Sequence, residues 1–247
     1  MAQSGFSKAC CTLPPVQAEY SPKGSYSDVG GLNSYVVGPE NAESAILYIY
    51  DVFGFSPQVL QGADMLASQG FRVIMPDVVK GKTMTPEMFA PTEEAQKQKA
   101  AYFSAFPGAI ATQSKPVAEV VKAIKSSSQS KLGMLGMCWG YKVGITTEAA
   151  GEFSAIATAH PSFPQPSDAE IIHVPLLLLP SSDEDMSTIH AIHDGVEAKN
   201  PGKNFLKQYS DCGHGFAAAR ADLKNPKQAE AFHQAYTEIA DFFKEHL

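Results

Sequence analysis

Residues 131–145 have the sequence KLGMLGMCWGYKVGI. Their apolar start predicts a buried strand, and the motif Gly136-Met137-Cys138-Trp139-Gly140 joins this strand to a helix. The motif is the G-x-S-x-G nucleophile elbow with cysteine in place of serine. The glycines have a physical reason, because strand and helix approach closely at this strained turn. Cys138 is therefore a candidate nucleophile; the alternative is a buried structural cysteine between two chance glycines.

A candidate base lies further along the chain, in Asp211-Cys212-Gly213-His214-Gly215-Phe216. This segment follows the last predicted strand and precedes the C-terminal helix. α/β-Hydrolases carry their catalytic histidine on that loop, so His214 is predicted to be the general base. His160 ends another predicted strand and could face the same site, although a structural role is favoured for it.

Between these residues, the acidic turn Ser181-Ser182-Asp183-Glu184-Asp185 follows a further predicted strand. A carboxylate at this place is needed to orient the imidazole of His214. Asp183 and Glu184 compete for that role, and a solvated acidic turn is the alternative for either. Nucleophile, acid and histidine thus occur in the order expected for a catalytic triad.

Short apolar runs alternate with helical patterns along most of the chain. Strands are predicted at Ser44–Tyr50, Phe71–Met75, Lys131–Leu135, Phe153–Ala159, Val174–Leu179 and Asn204–Tyr209. Helices are predicted at residues 57–68, 92–104, 115–127 and about 227–246. This alternation predicts an α/β fold with a mostly parallel central sheet flanked by helices on both faces. Residues 1–247 are predicted to form a single domain, since no repeat or linker divides them.

Composition excludes several function classes. With 26 acidic and 19 basic residues the net charge is −7, which argues against nucleic acid or an anionic membrane surface as a partner. The four cysteines, Cys10, Cys11, Cys138 and Cys212, fit neither a disulfide framework nor a metal site. The N-terminus has no apolar signal segment, and the longest aliphatic run, Leu176–Leu179, is too short to cross a bilayer. A cytoplasmic protein without a metal is therefore expected.

Taken together, these features resemble the dienelactone hydrolase (carboxymethylenebutenolidase) family over roughly residues 30–245. The segments that carry the resemblance are Tyr50-Asp51-Val52-Phe53-Gly54, Gly70-Phe71-Arg72-Val73-Ile74-Met75-Pro76-Asp77, the Cys138 elbow and Gly213-His214-Gly215-Phe216. The resemblance implies a single-domain α/β-hydrolase fold without a cofactor. It also implies hydrolysis of a small lactone or activated ester through a thioester on the cysteine.

The same resemblance implies roles for residues around the elbow. Cys138 would be the nucleophile and His214 the base, while the backbone N–H groups of Val52 and Trp139 would form the oxyanion hole. Asp51 stands where better-known members carry a glutamate that pairs with the thiol. It is one methylene shorter, and we expect it to keep the resting thiol protonated.

Two cations are the nearest candidates to bind a substrate carboxylate. Lys82 lies in the segment where the family carries an arginine, and Arg220 lies six residues past His214, near the usual position that Ala218 holds here. A small ester or lactone, neutral or anionic, is therefore the expected partner, with the protein a monomer or homodimer.

Counting along the chain gives two answers for the acid. Counting from Pro175 by the strand length of the family favours Glu184. Counting back from His214, with an apolar residue required three positions further on (Met186), favours Asp183. We predict Asp183, with Glu184 as the alternative.

Two other functions are compatible with these residues. The fold could carry a non-catalytic protein that binds a small ligand, because fold does not determine function. A thiol-redox protein could use Cys138 and Cys212 as partners, since Cys212 lies two residues before His214.

Overall fold

The computed structural model of the chain describes residues 13–127 and 129–247. Cys10 and Cys11 lie outside the described residues. The strands are β1 (Ser25–Val29), β2 (Leu32–Val37), β3 (Ser44–Ile49), β4 (Arg72–Pro76), β5 (Lys131–Met137), β6 (Ala155–Ala159), β7 (Leu176–Leu179) and β8 (Phe205–Leu206). The helices are α1 (Pro57–Ser68), α2 (Glu93–Ser104), α3 (Ser114–Lys125), α4 (Trp139–Ile145), α5 (Asp168–Ile171), α6 (Met186–Glu197) and α7 (Pro226–His246). Short 3₁₀ helices lie at Pro86–Phe89, Ile110–Gln113 and Ala150–Glu152.

The eight strands form one sheet in the order β1-β2-β4-β3-β5-β6-β7-β8. The six strands from β4 to β8 in that order are parallel, and only β1 and β2 run antiparallel to their neighbours. Because crossovers between parallel strands are right-handed, α1 and α3 cover opposite faces of the sheet. The predicted α/β-hydrolase fold is confirmed.

The strands β6 and β7 are buried along their whole length. Every residue of β6 and β7 is buried, because helices cover both faces of a parallel sheet. This is why their sequences are continuous apolar runs rather than alternating patterns. The helix predicted at residues 57–68 has the predicted bounds, with Ser56 capping its N-terminus and Pro57 in its first turn.

The hairpin of β1 and β2 was absent from the sequence-based prediction. Its strands are joined by Gly30 and Gly31, both at positive φ, which is the backbone that a two-residue hairpin turn requires. The Gly-Gly pair at residues 30–31 was the signal that could have revealed it. The strand predicted at Asn204–Tyr209 is shorter, Phe205–Leu206, followed by an isolated bridge between Ser181 and Tyr209.

The register of the sheet brings the candidate site together. Met137 of β5 pairs with Ala159 of β6, and Ala159 pairs with Leu179 of β7. The residues that follow these strands, Cys138, His160 and the acidic turn, therefore emerge side by side. This is the carboxyl edge of the sheet, where parallel α/β folds bind their ligands.

Candidate active site

Cys138 stands in a strained turn between β5 and α4. Its backbone has φ 53° and ψ −119°, a left-handed conformation that costs energy for a residue with a Cβ atom and is typical of functional sites. A Cβ at Gly140 would lie 2.2 Å from the Ile49 carbonyl oxygen, and one at Gly136 would lie 2.6 Å from Tyr141 Cα. Both elbow glycines are therefore required by close backbone contacts, as predicted.

The thiol lies within hydrogen-bonding distance of an imidazole and a hydroxyl. Cys138 Sγ is 3.1 Å from His214 Nε2 and 3.1 Å from Ser162 Oγ, and Ser162 Oγ is 3.4 Å from His214 Nε2. All three residues are buried, with at most 4% of their surface exposed. The structure thus brings together the cysteine and histidine that the sequence singled out, and adds a serine to them.

Glu184, and not Asp183, contacts the imidazole. Glu184 Oε1 lies 2.6 Å from His214 Nδ1, while its other oxygen accepts a hydrogen bond from the Ser181 backbone N–H. The prediction of Asp183 as the orienting carboxylate is therefore wrong in its geometry. Asp183 Oδ2 instead accepts from the His214 backbone N–H at 2.7 Å, and Asp185 caps α6.

The physical reason for this correction is the tightness of the turn after β7. The chain folds back so that Glu184 Oε2 binds the Ser181 amide, three residues earlier, which turns its side chain inward beneath His214. Asp183 faces the backbone of the histidine loop, residues 211–216. Both carboxylates thus hold His214, one at its ring and the other at its backbone.

The proposed oxyanion donors lie on adjoining segments. β3 pairs with β5 so that Ile49 is opposite Gly136, and the loop after β3 consequently begins beside the elbow. Val52 is buried in that loop, and Trp139 is buried at the start of α4. The indole of Trp139 donates to the Gly108 carbonyl at 2.8 Å. The role of the two backbone N–H groups stays a prediction.

Asp51 connects two loops of the site. It is buried, and its carboxylate accepts hydrogen bonds from the backbone N–H groups of Phe53, at 2.9 Å, and Ala219, at 3.2 Å. Backbone donors of this kind favour the charged carboxylate. Asp51 therefore links the loop after β3 to the segment that follows His214 in the chain. Its influence on the Cys138 thiol stays a prediction.

Comparisons with known proteins identify the family of this chain. The model of the dienelactone hydrolase family matches residues 32–247. The chain belongs to the dienelactone hydrolase family. The predicted resemblance is thereby confirmed, and with it the assignment of the chain to a family of hydrolases.

Relatives and solved structures extend the match over most of the chain. An AIM2 family protein of Schizosaccharomyces pombe is 38% identical over 226 residues, covering 87% of this chain and 88% of the relative. A carboxymethylenebutenolidase of Rhodococcus opacus is 27% identical over 218 residues, covering 82% of this chain and 81% of the relative. The crystal structure of a dienelactone hydrolase from Anabaena variabilis has a TM-score of 0.63 at 15% identity, covering 93% of this chain and all of that one.

The cations proposed to bind a substrate carboxylate have other contacts in this dienelactone hydrolase family member. The Arg220 guanidinium donates to the Leu13 carbonyl at 2.9 Å through Nε and lies over the rings of Phe53 and Phe89, at 5.5 and 5.8 Å. The Lys82 ammonium lies 5.4 Å from the Phe106 ring centroid, on the surface. Binding of an anionic substrate by either residue stays a prediction.

Ser162 is the site residue that the sequence reasoning missed. It lies in the loop after β6, between His160 and Phe163, which both have positive φ (40° and 58°). Its backbone N–H donates to the Cys138 carbonyl at 2.9 Å. The position of His-Pro-Ser directly after a central strand was a signal that could have found it. The His160 ring packs 5.0 Å from that of His214.

We predict that Ser162→Ala lowers kcat/KM by roughly 10- to 100-fold, the loss typical of a hydrogen bond to a charged group. A hydroxyl that donates to the thiolate favours the charged form of Cys138. The pH profile of iodoacetamide alkylation of Cys138 should therefore move to higher pH in the variant. An unchanged profile together with unchanged kcat/KM would limit Ser162 to packing.

Cys212 contributes a second thiol to the histidine loop. Among the described residues, neither Cys138 nor Cys212 forms a disulfide bond, and Cys212 is half-buried. Burial, followed by the nearby Asp211 carboxylate, raises the pKa of the Cys212 thiol. Since the thiolate is the reactive form, Cys212 is held in the unreactive state at neutral pH.

For this reason, Cys212→Ser is expected to change ester hydrolysis by no more than about twofold, or about 0.5 kcal/mol, because the Cys212 thiol takes no part in the proposed proton transfers. Alkylation of Cys138 should also proceed at the wild-type rate. A Cys138–Cys212 disulfide after mild oxidation of the wild-type protein, with activity lost and then restored by a reductant, would instead favour the redox alternative.

Two features are absent from residues 13–127 and 129–247, the part of the chain that the structure describes. None of the helices in that part of the chain combines the length and apolar character needed to cross a membrane. Over the same residues, His, Cys, Asp and Glu side chains nowhere group in threes as a metal ion would need.

Proposed function

We propose that this protein hydrolyses a small carboxylic ester or lactone through a thioester on Cys138. The observation that carries the proposal is the buried chain of contacts from Glu184 through His214 to Cys138, with distances of 2.6 and 3.1 Å. A nucleophile, a base and a carboxylate that orients the base are the three parts of a hydrolytic triad. Membership in a hydrolase family supports the same reading.

In the first half-reaction, Cys138 Sγ attacks the carbonyl carbon while His214 Nε2 takes the thiol proton. The negative charge that develops on the carbonyl oxygen would be held by the backbone N–H groups of Val52 and Trp139. The C–O bond to the leaving group then breaks, and the alkoxide takes the proton from His214. In a lactone this alkoxide stays attached to the acyl group.

In the second half-reaction, His214 takes a proton from a water molecule as that water attacks the thioester carbon. The C–S bond breaks, the acid product leaves, and His214 returns its proton to Cys138. Glu184 stabilises the imidazolium in both halves, because it lies on Nδ1 and is itself held by the Ser181 amide. Ser162 lies within hydrogen-bonding distance of Cys138 Sγ and His214 Nε2, the two partners of the proton transfers to and from the thiol.

A panel of aryl esters and small lactones tests this function, with the Cys138→Ala variant as the blank. The proposal would be supported if the wild-type protein hydrolysed a member of the panel and the Cys138→Ala variant did not. Tight binding of panel members with equal, negligible turnover in both proteins would favour the alternative of a non-catalytic binding protein.

A further inference from the structure

Tyr102 presents a buried hydroxyl close to the candidate site. The residue belongs to α2 and is only 7% exposed. Among the described residues, no group forms a hydrogen bond with this hydroxyl. Buried hydroxyl groups are normally paired, and one that is left without a protein partner requires an explanation such as a ligand.

The elbow itself positions the Tyr102 ring. The Gly108 carbonyl accepts the indole hydrogen bond of Trp139, the residue after the nucleophile. A Cβ at Gly108 would lie 2.3 Å from Tyr102 Cδ1, so the ring occupies the space that glycine leaves open. Tyr102 therefore packs against Gly108, which is hydrogen-bonded to the elbow residue Trp139.

The electrostatic surroundings of Tyr102 also point to the site. Burial raises the pKa of its phenol, and the charges of Asp51 and Cys138 raise it further. The hydroxyl therefore keeps its proton at neutral pH and serves as a hydrogen-bond donor. The negative charge of Asp51 that raises the pKa of the Tyr102 phenol would also repel a negatively charged substrate group placed beside the hydroxyl.

Four half-buried rings, Phe53, Phe89, Phe103 and Phe163, form two pairs around the site, which we name the aromatic wall. Phe53 follows Val52 and packs against Phe89 at 5.5 Å. Phe163 follows Ser162 and packs edge-on against Phe103 at 5.6 Å. Phe103 also packs against Tyr102, at 5.2 Å. Flat rings favour offset or edge-to-face packing against such walls.

We propose that Tyr102 and the aromatic wall form a substrate subsite for a neutral aromatic or conjugated group, with the Tyr102 hydroxyl donating to an uncharged oxygen of that group. The contacts of Arg220 with the Leu13 carbonyl and with Phe53 and Phe89 fit this assignment. The guanidinium is engaged by these protein groups and lies over two rings of the same wall. The proposal rests on the proposed function and specifies the class of its substrate.

Binding to the Cys138→Ala protein tests this subsite without requiring hydrolysis. The probes are 1-indanone, indane and indane-1-carboxylate, which present the same ring with a neutral acceptor, with none, and with an anion. We expect 1-indanone to bind most tightly in an NMR titration. Adding Tyr102→Phe to the Cys138→Ala protein should weaken the binding of 1-indanone about tenfold, the effect of one hydrogen bond. The affinity for indane should not change. The matched control is Tyr26→Phe, which removes a hydroxyl from an exposed ring.

A second measurement separates this role from a structural one. Removing a buried hydroxyl that has no hydrogen-bond partner among the described residues should leave the Tm of the free protein unchanged or raise it. A lower Tm in Tyr102→Phe would mean that the hydroxyl stabilises the fold, and would overturn the proposal. Tightest binding of indane-1-carboxylate, or equal binding of 1-indanone with and without the Tyr102 hydroxyl, would also overturn it. Since these readouts use a protein without the nucleophile, they fail or succeed independently of the hydrolytic mechanism.

Discussion

Replacing Cys138 by alanine is expected to lower ester turnover by roughly 10⁴-fold or more, because the members of a triad act as a unit. The variant keeps the imidazole, its carboxylate and the oxyanion donors but has no atom that can form the acyl-enzyme. Alanine is smaller than cysteine and carries the same Cβ, so the elbow backbone at φ 53° is not strained further. The measurement is kcat/KM for the best ester of the panel, with the folded state checked by Tm.

Ser162→Ala is the matched control for this experiment, since it removes the other nucleophilic atom near His214 Nε2. Retention of a tenth of the wild-type activity in Cys138→Ala would contradict the assignment of the nucleophile. If Cys138→Ala kept that activity and Ser162→Ala lost all activity, the role of the nucleophile would belong to Ser162.

Glu184→Gln is expected to lower kcat by roughly 10³- to 10⁴-fold, as replacing the carboxylate of a triad by an amide does. The amide keeps the shape of the side chain but loses the negative charge that stabilises the imidazolium. Its NH₂ group could also face His214 Nδ1 and favour the wrong tautomer. The measurement is kcat in the plateau of the pH profile, which excludes a mere shift of the optimum.

The neighbouring carboxylate supplies the control for that substitution. Asp183→Asn removes a charge one residue away and replaces the acceptor for the His214 backbone N–H, so we expect a loss of at most about tenfold, the effect of one hydrogen bond. The reverse ranking of the two variants would return the role of the acid to Asp183. Equal, small losses would mean that neither carboxylate orients the base.

The sequence was sufficient for the fold and for two of the three residues of the proposed triad. An elbow needs glycines around its nucleophile, and a catalytic histidine needs a loop after the last strand, so both leave a local pattern. The choice between Asp183 and Glu184 leaves none, because it depends on which way a three-residue turn directs two adjacent side chains. That turn is set by the bond from Glu184 to the Ser181 amide.

Contacts between segments that are distant in the chain could not be predicted from the sequence either. Ser162 reaches Cys138 only because β6 lies beside β5 in the sheet. The Arg220 guanidinium binds the carbonyl of Leu13, 207 positions away in the chain, so its spacing from His214 could not reveal its partner. Such pairings depend on tertiary packing and become visible only in the folded chain.

Detection of the thioester itself is the most direct test of whether Cys138 is the nucleophile. The wild-type protein is mixed with a reactive aryl ester, quenched in acid within milliseconds and measured as an intact mass, and its peptides are then sequenced by mass spectrometry. We expect a mass increase equal to one acyl group, located on Cys138, sensitive to hydroxylamine and absent from Cys138→Ala. An acyl group located on Ser162 or another residue would contradict the assignment of Cys138 as the nucleophile. Steady hydrolysis of the ester by the Cys138→Ala variant would contradict it as well.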